Sequence, residues 1–377
     1  MGYTSPTYWV LAAIVCTIMA CCTEEPGPGS GVDGDLTQID YDPQAFVIEY
    51  PEYTALVNDI SVKVPEMDIP ADNPMTQEGV ELGRHLFYDK LLSADGTQSC
   101  ASCHLPEGSF TDNLAVSKGI DGIAGTRSSM SLLNVGFNNN GLFWDGRVMT
   151  LEEQALLPVE DEIELHNTWP QVIDDLRKHD EYPAMFRKAF GISNSNEITK
   201  EMAAKAIAQF ERSIYSFESK FDKFLQGQVL LTDDELEGFE LFVDIQDVAH
   251  CIHCHTLPMF TSNDYFNNGL VAADDPSDFI DIGKGAVSNV ITEYGFFRTP
   301  TLRNVELTAP YMRDGSLSTL EEVMDHYASG GQDSYNKDTN ISTIELDDYQ
   351  KEVIIAFMKT LTDTSILDTE RLADPFK

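Results

Sequence analysis

Ile207, Phe210, Ile214, Phe217, Phe221 and Phe224 fall at steps of three and four along residues 201–225. That spacing puts six large apolar side chains on one face of a helix, and it predicts a helix packed on a core or on a neighbouring domain. Tyr349, Val353, Ala356 and Thr360 repeat the pattern near the end of the chain. Thr150-x-x-Glu153, Thr232-x-x-Glu235 and Ser318-x-x-Glu321 have the spacing of capping boxes, in which a hydroxyl and an acid satisfy the free N–H groups that open a helix. Gly227 follows the aromatic face and marks a boundary. Extended structure is expected only as a short strand or hairpin around Gly295 to Arg298. The predicted fold class is mainly α. No apolar run reaches the roughly 20 residues that a spanning helix needs.

The pattern also recurs at long range. Gly83-Arg84-His85-Leu86-Phe87 has a counterpart in Gly238-Phe239-Glu240-Leu241-Phe242, and Phe110-Thr111-Asp112-Asn113 in Phe260-Thr261-Ser262-Asn263. Ser131 to Val135 pairs with Thr301 to Val305, and Asp145 to Glu153 with Asp314 to Glu322. An internal duplication follows, with two copies of one helical unit. The expected organisation is a leader over 1–20, an acidic, Gly- and Pro-rich tether with an N-terminal extension over 21–62, a first unit over 63–226 and a second over 227–377.

Charge narrows the partners. The chain carries 24 Lys and Arg against 63 Asp and Glu, a formal net charge of −39. That excludes a nucleic-acid reader that works by neutralising phosphates and a polybasic membrane patch. It favours cationic partners. Val10 to Ala20 has the length of a signal-peptide core. Ile18-Met19-Ala20-Cys21 resembles a bacterial lipobox, which would make Cys21 a lipidation site, although Met1 to Tyr8 holds no Lys or Arg. The expected location is the periplasm or cell envelope, with membrane contact only through a lipid anchor.

The chemistry lies in the cysteines. Cys16, Cys21 and Cys22 are near the start, and the other four form Cys100-Ala101-Ser102-Cys103-His104 and Cys251-Ile252-His253-Cys254-His255. Cys-x-x-Cys-His is the attachment signal for c-type haem: two thiols add to the two vinyl groups, and the adjacent His reaches the iron. A zinc site would bring the two pairs close in sequence, and a thioredoxin-like pair would sit in a βαβ context. Neither holds here. Two covalently bound haem c groups are expected, with Cys100, Cys103, Cys251 and Cys254 as attachment points and His104 and His255 as iron ligands.

The duplication separates the two irons. Tyr327 is a candidate sixth ligand for the second haem, and ungapped alignment of the copies sets it on Pro158, which cannot ligate. No His lies between His104 and His166. The first haem is therefore expected to keep an open position, where peroxide or O₂ reacts, while a closed second haem transfers electrons. Met130 and Met149 are the nearest sulfur atoms that could close the first haem. His326, Met312 and Met324 rival Tyr327 at the second.

With both haem motifs, Leu82-Gly83-Arg84, Phe143-Trp144-Asp145-Gly146-Arg147, Thr299-Pro300-Thr301-Leu302-Arg303-Asn304, Leu307-Thr308-Ala309-Pro310-Tyr311 and Asp314-Gly315, residues 65–362 resemble the bacterial di-haem cytochrome c peroxidase and MauG family. The resemblance implies two cytochrome-c-like haem domains, the peroxidatic haem in the first. It implies that Trp144 assists electron transfer between the haems, that Gln154 lies in the distal pocket and that Glu164 acts on peroxide. A carboxylate suits that role because splitting O–O needs a group that takes a proton from one oxygen and returns it to the other. Tyr327 stands where typical peroxidases have Met and MauG has Tyr. The resemblance also implies a calcium ion between the domains on the carbonyls of Thr308 and Pro310, with Ser128 in place of the usual Asn. The leading expectation is reduction of hydrogen peroxide with electrons from a small cytochrome c or cupredoxin, and a homodimer is compatible with it. A MauG-like oxidase that modifies a protein partner and a non-catalytic envelope electron carrier are the alternatives.

Overall fold

The computed structural model describes residues 1–2, 34–57, 60–244 and 249–377. Cys16, Cys21, Cys22 and the run Val10 to Ala20 lie outside the described residues, and with them the leader and the lipidation site. Among the described residues the architecture is mainly helical. The helices are α1 (Gln77–Tyr88), α2 (Leu151–Glu160), α3 (Trp169–Lys178), α4 (Tyr182–Phe190), α5 (Lys200–Ser213), α6 (Lys220–Leu225), α7 (Asp233–Val243), α8 (Lys284–Ser288), α9 (Leu320–Ala328) and α10 (Asp348–Lys359). Two small antiparallel ladders join them. β1 (Leu56–Val57) pairs with β2 (Ile60–Ser61), and β3 (Tyr265–Phe266) pairs with β4 (Phe297–Arg298), within the stretch expected to be extended.

Capping explains where several helices begin. Thr150 with Glu153 opens α2, and Thr232 with Glu235 opens α7. The third expected box is displaced by one residue. Thr319, not Ser318, caps α9, accepting from Glu322 N at 3.2 Å while Glu322 accepts from Thr319 N at 3.3 Å. This register turns Leu320 and Met324 into the core.

The single helix expected over 201–225 is two. α5 stops at Ser213 because Asn134 takes the backbone partners that a longer helix would use. Asn134 N donates to Ile214 O at 2.8 Å, its side-chain oxygen accepts from Ser216 N at 3.1 Å and its amide donates to Ser216 O at 3.3 Å. Asn304 does the same after α10, with Leu361 O at 3.2 Å, Asp363 N at 2.7 Å and Asp363 O at 3.1 Å. Both asparagines have positive φ, 59° and 57°, which Asn tolerates better than other residues with a Cβ. Ser216 donates its hydroxyl to Asp363, tying the two junctions together. The aromatic face survives the break: Ile207, Phe210, Ile214, Phe217 and Phe221 are all buried. On α10, Val353 is buried but Tyr349 is about half exposed, bonded to Glu237 at 2.9 Å.

Each half has a close helix crossing at a glycine. A Cβ on Gly83 of α1 would lie 1.9 Å from Ala206 O of α5, and one on Gly238 of α7 would lie 1.9 Å from Val353 O of α10. Around the second crossing Phe221, Phe239, Phe242, Phe260 and Phe357 form an aromatic core. Two flanking segments cross over. Val57 and Val62 pack into this second core, whereas Ile366 and Leu372 pack with Phe87, Phe110 and Phe210 of the first half. α6 also belongs to the second core, so that core begins before Gly227.

Asp222 of α6 holds the buried guanidinium of Arg303 through two bonds of 2.9 Å. Arg303 also donates to Pro258 O at 3.0 Å. Removing one partner of a buried pair leaves an uncompensated charge. Asp222→Ala is therefore expected to lower stability by about 3–5 kcal/mol, read as a lower urea midpoint at unchanged slope.

Candidate functional site

Each Cys-x-x-Cys-His segment forms one tight turn. His104 N donates to Cys100 O at 3.1 Å and His255 N to Cys251 O at 2.9 Å. Each turn brings two thiols and an imidazole to the wall of one cavity, of about 380 Å³ in the first half and about 250 Å³ in the second. His104 Nδ1 lies 2.8 Å from Phe110 O, and His255 Nδ1 lies 3.0 Å from Phe260 O. With Nδ1 as the donor, Nε2 keeps its lone pair for a metal. Both phenylalanines are fully buried, with φ of 60° and 54°. Burial keeps the imidazoles neutral, against the pull of the bonded carbonyls: the pKa of His104 lies below its ordinary value and that of His255 falls to about 4. Burial also raises the thiols, Cys103 to about 11 and Cys251 and Cys254 to about 12. No disulfide joins these four cysteines. Thiol pairs, a neutral ligating nitrogen and an adjoining cavity fit a haem in each half.

Gln154, Pro158 and Glu164 share the first cavity with His104. Glu164 sits in a loop after α2, where Ile120 N donates to its carbonyl at 3.0 Å. Its neighbours Glu162 and Ile163 face solvent, but its own carboxyl turns inward. Burial raises its pKa to about 7, and the Asp161 charge adds to this while Arg147 opposes it. Met149 faces solvent, and His166 sits at the surface with Nδ1 2.6 Å from Asp121. Met130 lies on the wall common to both cavities.

Tyr327, Met312 and Met324 line the second cavity. The amide of Asn268 reaches both Tyr327 Oη at 3.5 Å and Met312 Sδ at 3.4 Å. His326 turns away, with Nε2 3.0 Å from Asn268 O. Tyr327 and Pro158 are each the eighth residue of a Thr-capped helix. Burial holds the Tyr327 phenol above its ordinary pKa.

Trp144 forms part of both cavity walls. Its indole N–H donates to Ser128 O at 2.9 Å, and its carbonyl accepts from Arg298 N at 2.9 Å. Arg127, beside Ser128, bonds Asp145 at 2.7 Å and Asp281 twice at 2.8 Å, fastening the Trp144 segment to the second half. Ser128, Thr308 and Pro310 each line the second cavity. The Ser128 hydroxyl donates to Met312 O at 3.1 Å.

Residues 77–229 match the family model described as di-haem cytochrome c peroxidase. The methylamine utilization protein MauG of Methylorubrum extorquens is 33% identical over 293 residues, 78% of this chain and 80% of that protein. The cytochrome c551 peroxidase of Nitrosomonas europaea is 35% identical over 299 residues, 79% of this chain and 84% of that protein. The chain belongs to the di-haem cytochrome c peroxidase and MauG family. It is an oxidoreductase of that family, and membership implies haem c cofactors. A crystal structure of a MauG-like protein associated with microbial copper homeostasis superposes with a TM-score of 0.78 at 35% identity, over 86% of this chain and 100% of that one. The di-haem peroxidase BthA of Burkholderia thailandensis, at 24% identity and a TM-score of 0.68, shares the fold.

Three side chains in this di-haem site carried no readable sequence signal. Asn268 and Arg127 are single polar residues in irregular segments, and Glu211 lies within the apolar pattern of α5. Ferric protein carrying both haems is expected to give a high-spin EPR signal from the first haem beside a low-spin signal from the second. Two low-spin signals alone would contradict an open first cavity.

Proposed function

We propose that the protein reduces hydrogen peroxide to water in the first cavity, with electrons that a small cytochrome c or cupredoxin delivers through the second. The observation that carries this reading is the make-up of the first cavity: Gln154 and Glu164 share it with His104, and Pro158 stands where the second cavity has Tyr327. Haem c, attached through Cys100 and Cys103 and through Cys251 and Cys254, supplies the iron that binds peroxide and the carriers for electrons.

The chain's own groups have the following work. His104 and His255 hold the irons, each steadied by a carbonyl on the far side of its ring. Glu164 takes the proton from the near peroxide oxygen and returns it to the far one, which leaves as water. Gln154 orients peroxide through its amide. Trp144 bridges the cavities and so offers a path for electrons. The acidic surface suits a cationic donor. Carbonyls and waters supply most ligands of a calcium ion, so one at Thr308 and Pro310 belongs to this reading, as does an envelope location with an anchor at Cys21.

Glu164 must be a carboxylate to accept a proton. With its pKa near 7, turnover per bound peroxide should rise with pH through about 7 and then level off. Glu164→Gln should keep both haems and lose about 10²-fold or more in peroxide turnover. Unchanged turnover would leave Glu164 a wall residue.

Tyr327 favours a second reading, a MauG-like oxidase acting on a protein partner. A phenolate ligand stabilises ferric iron and hinders ordinary electron entry. Tyr327→Met should then raise the reduction potential of the second haem in a potentiometric titration. An unchanged potential and spectrum would remove the reason for this second reading.

A further inference from the structure

Glu211 takes no part in the chemistry above, yet it is the most deeply buried acid on the wall of the first cavity. It is 4% exposed, and its Oε2 has no hydrogen-bond partner. Its carboxyl lines the cavity together with Cys100 and Glu164. The obvious counter-ion is spent elsewhere: Arg212, next in α5, bonds both oxygens of Glu152 on α2, at 2.8 and 2.9 Å. On α1, Arg84 pairs with Glu81 at 2.8 Å. On α4, Arg187 donates to the carbonyls of Ile39, Gly191 and Ile192. Cys100, whose sulfur is uncharged once it holds the haem, lies near Glu211, and Glu164 on the same cavity wall is a second acid. An ionised carboxylate so placed is costly. Burial raises the Glu211 pKa to about 8, with the Arg212 charge opposing and the Glu152 charge adding to the rise.

We propose that Glu211 is a proton-holding positioning residue of the first haem cavity, whose buried and unpartnered carboxyl couples the haem's potential to proton uptake. The unpartnered, solvent-shielded Oε2 is the atom that carries the proton. When the medium has removed that proton, the one-electron reduction of the first haem by the redox-protein donor is accompanied by uptake of up to one proton from the medium, which converts the Glu211 carboxylate to the acid. When the proton is in place, the electron meets no negative charge on this wall. The inference deepens the peroxidase reading, since peroxide reduction draws two electrons into the first cavity, and a protonated Glu211 keeps negative charge off the wall that those electrons pass.

The test is potentiometry of the protein carrying both haems, without peroxide, from about pH 6 to about pH 10. Its outcome is therefore independent of whether the protein proves to be a peroxidase. The first-haem potential of the wild type is expected to fall as pH rises through about 8, because a new carboxylate charge stabilises ferric iron. Glu211→Gln should keep both haem spectra and lose that fall, while Glu164→Gln should retain it. A wild-type potential flat through this range, or an equal fall in Glu211→Gln, would overturn the proposal. If Glu211→Gln does not fold, infrared spectra of Glu164→Gln give the answer. A carboxylic-acid carbonyl band that disappears as pH rises through about 8 supports the proposal, and its absence overturns it.

Discussion

The bond between each motif histidine and a buried phenylalanine carbonyl is the constraint on which the site rests. A histidine on a short turn could point its ring anywhere. Here Phe110 and Phe260 are driven fully inside their cores, and their left-handed backbones aim the carbonyls at Nδ1. Burial by a side chain thus sets the direction of a backbone acceptor, and the acceptor sets the tautomer of a ligand. The helix crossings at Gly83 and Gly238 bring the packing helices of each core into close contact.

Function comes from what differs between the halves. The second cavity is lined by the phenol of Tyr327 on α9, whereas Pro158 of α2 lines the first together with the acids Glu164 and Glu211. Trp144 stands between them, pinned at its indole by Ser128 and at its carbonyl by Arg298. Arg127 secures this wall through carboxylates from both halves. Because Val57 and Val62 pack into the second core and Ile366 and Leu372 into the first, the two cavities cannot move apart without disturbing both.

Much of this was legible in the sequence. The haem motifs, the paired segments around Asn134 and Asn304, and the alignment of Pro158 with Tyr327 all depend on residue identity at fixed spacing. The break at Ile214 was not legible, because the apolar spacing continues through it and the cause, Asn134, lies about eighty residues away. Thr319 and Ser318 are chemically equivalent as caps, and only the burial of Leu320 and Met324 selects between them. Glu164, whose local sequence is that of a solvated acidic patch, was singled out only by the family resemblance, and the structure sets it on the wall of the first cavity. Glu211 had no such marker: an acid inside an apolar helix face signals function only once the cavity beside it is seen.

The central claim is that the first cavity is an open peroxide site fed through the second. Steady-state reduction of hydrogen peroxide by the protein with both haems, followed as oxidation of a pre-reduced small cytochrome c, tests it most directly. The account predicts that oxidation starts at once on adding peroxide, without prior reduction of the protein, and consumes two electrons per peroxide. Absence of peroxide-dependent oxidation of any small cytochrome or cupredoxin donor, with both haems present, would contradict it.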